Sequence, residues 1–276
     1  MTIRTALAQG VELLNKAGII APRLTAEVLL AHALRRERIY LLAHSEDELT
    51  EVGWIHFGRY LHERLQGKPT QYITKRQEFY GRDFYVAPGV LIPRPETESL
   101  VERVLTRVRP GMRVLDIGAG SGCIGVTLAL EFSLTVVSTD FSFDALKTAT
   151  RNASALHADV RFVQADLAAP FAAGSFDAVV SNPPYVPSID RSTLAAEVRE
   201  WEPAAALFAG PRGLDVYQRL IPEAARVLKP GGLLAMEFGF GQAEALREML
   251  TGWTNVEIYD DLAGIPRIIL AVPVNS

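Results

Sequence analysis

The stretch with the most distinctive chemistry is Asn182-Pro183-Pro184-Tyr185, which follows the apolar run FDAVVS. An amide or exocyclic amine nitrogen is a poor nucleophile because its lone pair is delocalised. An enzyme that methylates such a nitrogen must therefore hold its N–H groups with acceptors. The Asn182 side-chain carbonyl and the Pro183 main-chain carbonyl can each accept one such hydrogen bond. The prolines stiffen the backbone, and Tyr185 offers a flat face for stacking. We interpret these four residues as a catalytic and substrate-binding loop.

A glycine-rich loop earlier in the chain has the composition of a cofactor site. The strand-like run VLDI is followed by five small residues before a predicted helix: Gly118, Ala119, Gly120, Ser121 and Gly122. The missing side chains let a ligand approach the backbone at the helix N-terminus. Asp140 lies about twenty residues further on, at a predicted strand end, where an acid can bind ribose hydroxyls. Because the residues from Gly120 to Gly125 also fit G-x-G-x-x-G, these features alone leave a dinucleotide open as the ligand.

The elements that must position these loops follow an alternating pattern. From about Gly111 onward, five short apolar runs are separated by helix-sized segments: RVLDIG, TVVST, VRFVQA, FDAVVS and GLLAMEF. Strands that alternate with helices predict an α/β domain with a mainly parallel sheet. The final stretch, NVEIYDDLAGIPRIILAVP, holds two strand-like runs with only a loop between them. That spacing predicts an antiparallel pair at one sheet edge.

The first part of the chain has a different pattern. From Thr2 to Gly67, apolar residues recur at intervals of three and four, which predicts packed amphipathic helices. The residues that follow are rich in aromatic and turn types, which predicts a β-hairpin. We therefore predict a helical docking domain over residues 1–70, a hairpin linker over 71–92 and a catalytic domain over 93–276.

Composition excludes several classes of protein. The net charge of −4 provides no global basic field for nucleic acid, and no apolar run is long enough to span a bilayer. The N-terminus does not resemble a signal peptide, so we predict a cytoplasmic protein. The chain has one cysteine, Cys123, and five histidines that show no helical pairing with carboxylates of the kind that metal sites use, so we predict no metal site. We interpret Cys123 as a packing residue and the cluster Arg35, Arg36 and Arg38 as a solvated helix end.

The combined motifs resemble those of class I methyltransferases that use S-adenosylmethionine. The resemblance rests on the glycine loop, on Asp116 before it, on Asp166 after the third strand, and on the NPPY segment. It implies that the glycine loop lies against the amino-acid part of the cofactor and that Asp140 holds the ribose. It further implies that Asp166 and Leu167 lie beside the adenine and that Asn182 also borders the cofactor. The product would be S-adenosylhomocysteine.

Almost the whole chain resembles the HemK/PrmC family. The likeness is carried by the linker segment, by PRPETE at residues 93–98, by DIGAGSG and SNPPYV, by Glu202-Pro203 and Gly213-Leu214, and by the tail DLAGIPR. The family pattern has a small residue near the hairpin where this chain has Lys75-Arg76. The resemblance implies a class I methyltransferase fold with a seven-stranded sheet. It also implies methylation of the glutamine in the Gly-Gly-Gln motif of bacterial class I release factors.

Three alternatives remain open at this level. A glutamine methyltransferase acting on a ribosomal protein would share the same site. An adenine-N6 methyltransferase of nucleic acid would need a basic recognition region, which this chain lacks. A non-catalytic cofactor-binding scaffold is disfavoured by the intact NPPY segment. We expect a release factor as partner, with no membrane and no direct nucleic-acid substrate.

Overall fold

The structure is a computed structural model that describes residues 1–261 and 263–274. These residues form two units. The first unit comprises Met1–Arg76 together with Ala195–Trp201, and the second comprises the rest of the described chain. The inclusion of residues 195–201 in the first unit is not predicted by the sequence, because the interval follows the NPPY segment by only a few residues. Leu262, within the tail DLAGIPR, lies outside the described residues.

The described chain contains twelve α-helices, one 3-10 helix and nine strands. The helices are α1 (Ile3–Lys16), α2 (Pro22–Leu34), α3 (Arg38–Ala43), α4 (Glu51–Leu65), α5 (Thr70–Thr74), α6 (Pro95–Leu105), α7 (Cys123–Glu131), α8 (Phe143–Leu156), α9 (Ala196–Trp201), α10 (Ala204–Leu207), α11 (Asp215–Val227) and α12 (Ala243–Met249), with the 3-10 helix at Ser188–Thr193. The strands are β1 (Gln77–Phe79), β2 (Arg82–Phe84), β3 (Arg113–Ile117), β4 (Thr135–Asp140), β5 (Val160–Gln164), β6 (Phe176–Ser181), β7 (Leu228–Glu237), β8 (Trp253–Asp260) and β9 (Pro266–Pro273). None of the described helices is long and apolar enough to span a bilayer.

The first unit is helical, as its periodicity predicts. The side chain of Thr50 accepts a hydrogen bond from the backbone N–H of Gly53 at 3.1 Å and so caps α4. The apolar faces of α1, α2 and α4 meet in one core, in which Leu14, Leu29 and Phe57 are fully buried. Arg64 is also buried, and its guanidinium forms an ion pair with Glu197 of the same unit.

The second unit contains a seven-stranded sheet, which confirms the predicted fold class. Its strand order is β5-β4-β3-β6-β7-β9-β8. Strands β5, β4, β3, β6 and β7 pair in parallel, whereas β9 pairs antiparallel with both β7 and β8. The antiparallel pair therefore lies at one edge, as the short connection between its two runs predicts. From β3 the chain adds β4 and β5 on one side and then β6 and β7 on the other, and this switch point between β3 and β6 creates a crevice at their carboxyl ends.

Helices cover both faces of this sheet, and side chains alternate between two cores along the central strands. On β3, Val114 packs in the core formed with α6, α7 and α8, while Leu115 packs in the core formed with α11 and α12. Val136 and Val137 divide in the same way on β4. Burial on both faces explains why the central strands are mainly apolar runs.

The hairpin β1–β2 belongs to the second unit. Tyr80 and Gly81, the two residues of its turn, both have positive φ, at 53° and 68°. Phe79 and Phe84 are buried in the core shared with α6 and α7. The hairpin within the predicted linker thus supplies apolar side chains to the core of the second unit, while the linker bounds of 71–92 stay a prediction. Lys75 has φ 58° at the end of α5, a left-handed conformation that favours the small residue of the family pattern.

Candidate active site

A cavity of about 410 Å³ opens at the carboxyl ends of the central parallel strands. Its wall is formed by the residues that follow β3, β4, β5 and β6 and by the segment that leads into α6. The lining includes ten of the predicted site residues: Gly118, Ala119, Gly120, Ser121, Asp140, Asp166, Leu167, Asn182, Pro183 and Pro184. The structure therefore brings the two predicted loops to one site.

The glycine loop follows β3 and turns sharply into α7. The backbone N–H groups of Gly118 and Ala119 both donate to the carbonyl oxygen of Thr139, at 2.8 Å each. Gly118 has φ 86°, and a Cβ built on it would meet no atom within 4 Å, because the position faces open space. Gly122 is not among the described residues that line the cavity; it precedes α7 and packs against Ala149. Its predicted cofactor contact stays a prediction.

Asp140 ends β4 and binds the glycine loop directly. One carboxylate oxygen accepts a hydrogen bond from the backbone N–H of Gly120 at 2.9 Å, and the other accepts from Ser142 at 2.8 Å. Burial raises the pKa of this carboxyl, and the backbone hydrogen bonds oppose that rise. Asp140 therefore fixes the loop as well as offering an acceptor to a ligand.

Asp166 and Leu167 follow β5 at the mouth of the cavity. Asp166 is exposed and pairs with Arg219 of α11, whose Nη2 lies 2.5 Å from Oδ2. Leu167 has φ 52°, an uncommon conformation for a leucine, which turns the chain beneath the cavity wall. Phe141, which the sequence does not single out, also lines this side and is 61% exposed.

Asp116 is fully buried beneath the glycine loop and is not among the described cavity-lining residues. Its Oδ2 accepts hydrogen bonds from Ser138 Oγ at 2.9 Å and from the Gly125 N–H at 3.2 Å. Desolvation raises the pKa of this carboxyl to about 7. A Cβ at Gly125 would clash with Ser138 Oγ, so this glycine allows α7 to approach the sheet. The last glycine of the G-x-G-x-x-G pattern thus has a packing function in this chain.

Asn182 follows β6 and forms the first bond of a buried polar chain. Its Nδ2 donates to Thr97 Oγ1 at 3.0 Å, and Thr97 Oγ1 donates to Glu237 Oε2 at 2.6 Å. Thr97 lies in the first turn of α6, and Glu237 ends β7. Desolvation raises the pKa of the Glu237 carboxyl to about 7. Pro183 is buried and Pro184 is half-buried beside the cavity.

Tyr185 is directed away from the cavity wall toward the second core. It is not among the described lining residues; its ring packs near Gly239, and its hydroxyl lies 3.4 Å from Glu237 Oε1. Its carbonyl accepts a hydrogen bond from Gln242 Nε2 at 2.9 Å. Burial raises the pKa of the phenol. The stacking face that the sequence predicts for Tyr185 stays a prediction, and the observed contacts hold the loop in place.

Four residues that support the site were either not identified from the sequence or were included only as part of a family motif. Gln242 holds the Tyr185 carbonyl, and Thr97 and Glu237 support Asn182. Glu202 accepts hydrogen bonds from the Ile92 N–H and from Arg94, which positions the segment before α6. One sequence signal could have identified Glu237, which is the charged residue inside the apolar run GLLAMEF. A buried carboxylate without a partner is costly, so its position in this run implies a hydrogen-bond partner.

Cys123 lines the cavity and is half-buried. Desolvation raises the pKa of its thiol to about 12, which keeps it protonated and unreactive at neutral pH. Among the described residues, no three His, Cys, Asp or Glu side chains are grouped as a metal site requires. The absence of a metal from the mechanism stays a prediction.

The cavity residues fit S-adenosylmethionine on three counts. The glycine loop offers backbone without side chains, Asp140 places a carboxylate at the end of β4, and Phe141 with Leu167 supplies apolar surface. These features match, in order, the amino-acid, ribose and adenine parts of that molecule. The volume lies within the usual range for small-molecule sites.

Comparison with known proteins gives the same assignment. The PrmC N-terminal domain family matches residues 5–74, and the Methyltransferase small domain family matches residues 95–199. A relative from Koribacter versatilis, named release factor glutamine methyltransferase, is 44% identical over 274 residues, with 98% of each chain covered. A relative of the same name from Moorella thermoacetica is 43% identical over 279 residues, with 98% of each chain covered.

Two solved structures share the fold. A methyltransferase from Pyrococcus furiosus aligns with a TM-score of 0.53 at 19% identity, over 78% of this chain and 98% of that chain. The ribosomal protein L11 methylase from Lactobacillus delbrueckii subsp. bulgaricus aligns with a TM-score of 0.52 at 18% identity, over 72% and 90%. The structural likeness supports the fold, and the curated relatives carry the assignment further. The chain is an S-adenosylmethionine-dependent methyltransferase and belongs to the release factor glutamine methyltransferase family.

Proposed function

We propose that this protein methylates the side-chain amide nitrogen of the glutamine in the Gly-Gly-Gln motif of class I release factors. The observation that carries the proposal is the hydrogen bond from Asn182 Nδ2 to Thr97 Oγ1. Because the amide nitrogen is engaged there, the Asn182 carbonyl oxygen remains as the acceptor at the cavity wall. A glutamine NH2 group needs such an acceptor. The names of the relatives and their near-complete overlap with this chain support the same substrate.

The proposed mechanism assigns the chain three tasks. S-Adenosylmethionine supplies a methyl group activated by its sulfonium centre. Asn182 Oδ1 and the Pro183 carbonyl hold the two N–H groups of the glutamine, so that the nitrogen lone pair turns toward the methyl carbon. The surrounding apolar wall excludes water, which strengthens both hydrogen bonds. No strong base is required, because the product nitrogen can lose its proton after transfer.

The helical unit is proposed to dock the release factor. Its surface carries exposed apolar side chains on α4, where Val52 is 62% exposed and Ile55 is 59% exposed. Exposed apolar groups of this kind are common where a protein partner binds. We further propose that the protein acts in the cytoplasm, where release factors work.

The decisive experiment offers labelled S-adenosylmethionine with three candidate substrates in separate reactions: a class I release factor, ribosomal protein and DNA. We expect label only on the release factor, and peptide mass mapping should place it on the glutamine of Gly-Gly-Gln. A release factor with that glutamine replaced by alanine is the matched control. Label on ribosomal protein or DNA alone would overturn the proposal, and cofactor binding without any transfer would indicate a scaffold.

Docking by α4 has a separate test. Ile55→Asp should raise the KM for a complete release factor without changing the KM for a short Gly-Gly-Gln peptide, because only the complete factor can reach the helical unit. Val274→Asp is a matched control, since Val274 is a similarly exposed apolar residue, at 60%, in the other unit. An unchanged KM for the complete factor would remove α4 from the docking surface.

A further inference from the structure

Glu237 is an acidic side chain in an apolar strand, and it is linked to Asn182 of the catalytic loop through one intermediate residue. The parallel register places Ser181 of β6 opposite Met236 of β7. The next residues along the chain, Asn182 just after β6 and Glu237 at the end of β7, therefore lie at the same level. Thr97 lies between them and bonds to both, at 3.0 Å and 2.6 Å. Glu237 is 1% exposed and Thr97 is 2% exposed, so water does not compete for these bonds.

The direction of this hydrogen-bond chain follows from the number of protons available. A threonine hydroxyl has one proton to donate, and an ionised carboxylate can only accept. Thr97 therefore gives its proton to Glu237 and must accept from its other neighbour. The only part of the Asn182 side chain that can donate is its NH2 group. An ionised Glu237 thus fixes the Asn182 amide with Nδ2 toward Thr97 and leaves Oδ1 as the acceptor for substrate.

We propose that Glu237 and Thr97 are positioning residues that hold the Asn182 amide in the orientation required for methyl transfer. This inference deepens the proposed function and rests on it for its kinetic test. If Glu237 gains a proton, it can donate to Thr97, and the Thr97 hydroxyl is then free to donate to Asn182 Oδ1. The amide can turn over, and its NH2 group would meet the NH2 group of the glutamine. Two donors cannot pair, so this orientation is inactive.

The proposal has a consequence for pH. Burial raises the pKa of Glu237 to about 7, which brings its protonation into the neutral range. The active form is ionised, so the rate should rise with pH through that value and level off above it, and should fall on the acid side. Other charged or titratable groups face Glu237 from each neighbouring element: Glu96 on α6, Cys123 on α7, Tyr185 after β6, Tyr217 on α11 and Arg267 on β9. Glu96 opposes ionisation of Glu237, and Arg267 favours it.

The first test compares two substitutions of Thr97. Thr97→Val keeps the shape and removes the hydroxyl, so the single-turnover rate at saturating cofactor should fall by about tenfold or more, the scale of one charge-assisted hydrogen bond. Thr97→Ser keeps the hydroxyl and should restore most of that rate. Cofactor affinity should stay within about threefold in both, since the glycine loop and Asp140 are unchanged. A Thr97→Val variant with the parental rate would overturn the proposal.

The second test assigns the pH dependence. Glu237→Gln cannot titrate, so the acid side of its rate profile should flatten, with a rate below the parental plateau. Asp116→Asn is the matched control, because Asp116 is also a buried carboxyl with its pKa raised to about 7 but has no bond to Asn182. That variant should keep the acid-side fall. If Glu237→Gln keeps the fall and Asp116→Asn loses it, Glu237 is not the controlling group.

A third measurement needs no substrate and therefore separates this proposal from the proposed function. The side-chain NH2 signals of Asn182, followed by 15N-edited NMR of the full-length protein, should shift with pH through the titration of Glu237. The shift should vanish in Glu237→Gln and persist in Asp116→Asn. Signals of Asn182 that ignore pH in the parent would overturn the positioning proposal, even if the enzyme methylates its release factor. Titrating signals without any methyl transfer would support the positioning and refute the substrate.

Discussion

The glycine loop and the NPPY loop border the same cavity, but the chain fixes them by different means. The glycine loop is held mainly by the end of the adjacent strand β4, through bonds from Gly118 and Ala119 to Thr139 and from Gly120 to Asp140. The NPPY loop is held by distant side chains. The comparison indicates that a loop predicted to bind a cofactor through its backbone can be shaped by one neighbouring strand end, whereas a loop proposed to orient one amide needs support from several elements.

The largest expected effect tests the catalytic side of this comparison. Asn182→Ala should lower the single-turnover rate of methyl transfer by about a hundredfold or more, the scale of losing one preorganised polar contact at a reacting centre. Cofactor affinity should change much less. Asn182→Asp keeps an acceptor but brings a carboxylate against Thr97 in place of the donor, so its rate should fall between those of Ala and the parent. An Ala variant near the parental rate would remove Asn182 as the orienting group.

On the cofactor side, Asp140→Ala should weaken S-adenosylmethionine binding by roughly 1.5 to 3 kcal/mol, the usual range for a hydrogen bond to a charged group. The structure sharpens this expectation, because Asp140 also holds the Gly120 N–H. Asp140→Asn keeps one acceptor and should lose less affinity. Calorimetry with each variant measures the effect, while turnover at saturating cofactor should stay near that of the parent. Unchanged affinity in Asp140→Ala would exclude the ribose contact.

The same substitution, glycine to alanine, can be made beside each of the two loops. Gly118 and Gly213 both have positive φ, at 86° and 72°, so alanine is strained at each by about 1 to 3 kcal/mol. A Cβ at Gly213 would also collide with the Tyr185 carbonyl, whereas one at Gly118 meets open space. Urea unfolding should therefore show Gly213→Ala as the less stable variant. Gly118→Ala should instead lose more cofactor affinity. Equal stability of the two variants would show that the NPPY loop can shift to accommodate the added Cβ at little cost.

The smallest expected effect concerns the cavity mouth. The ion pair between Arg219 and Asp166 is exposed on both sides, at 61% and 63% of the side chain, and such pairs contribute about 0 to 1 kcal/mol. Arg219→Ala should change cofactor affinity by no more than about fivefold, and the difference should shrink at high salt. A large or salt-insensitive loss would mean that Arg219 contacts the cofactor directly.

The residues that could be predicted from the sequence alone are those in short motifs that directly follow a strand. The glycine loop, Asp140 and Asn182 each follow a strand, and the parallel topology brings strand ends together. Glu237 and Thr97 are 140 residues apart, so their pairing depends on the register of β6 and β7 and on the entry of α6. Tyr185 illustrates a different limit, because a strand-end motif does not specify which side of the loop a ring will occupy.

The domain boundaries show the same limit. The aromatic residues of the hairpin predict a linker when considered alone, yet Phe79 and Phe84 are core residues of the sheet domain. Their destination depends on tertiary packing that periodicity does not encode. The helical pattern of the first unit is strong because helices α1 to α5 share one apolar core. The segment 195–201, in contrast, has no local feature that assigns it to that unit.

The position of that segment affects how the protein can fold during its synthesis. Arg64 is made early, but its half-exposed partner Glu197 emerges only after residues 77–194 have been translated. At about 5 to 20 residues per second, the delay is roughly 6 to 25 s. A buried guanidinium without its carboxylate is destabilising, so the nascent helical unit should stay less tightly packed until the ribosome has passed residue 201. The N-terminal unit of this protein is therefore the first to be made but not the first to be finished.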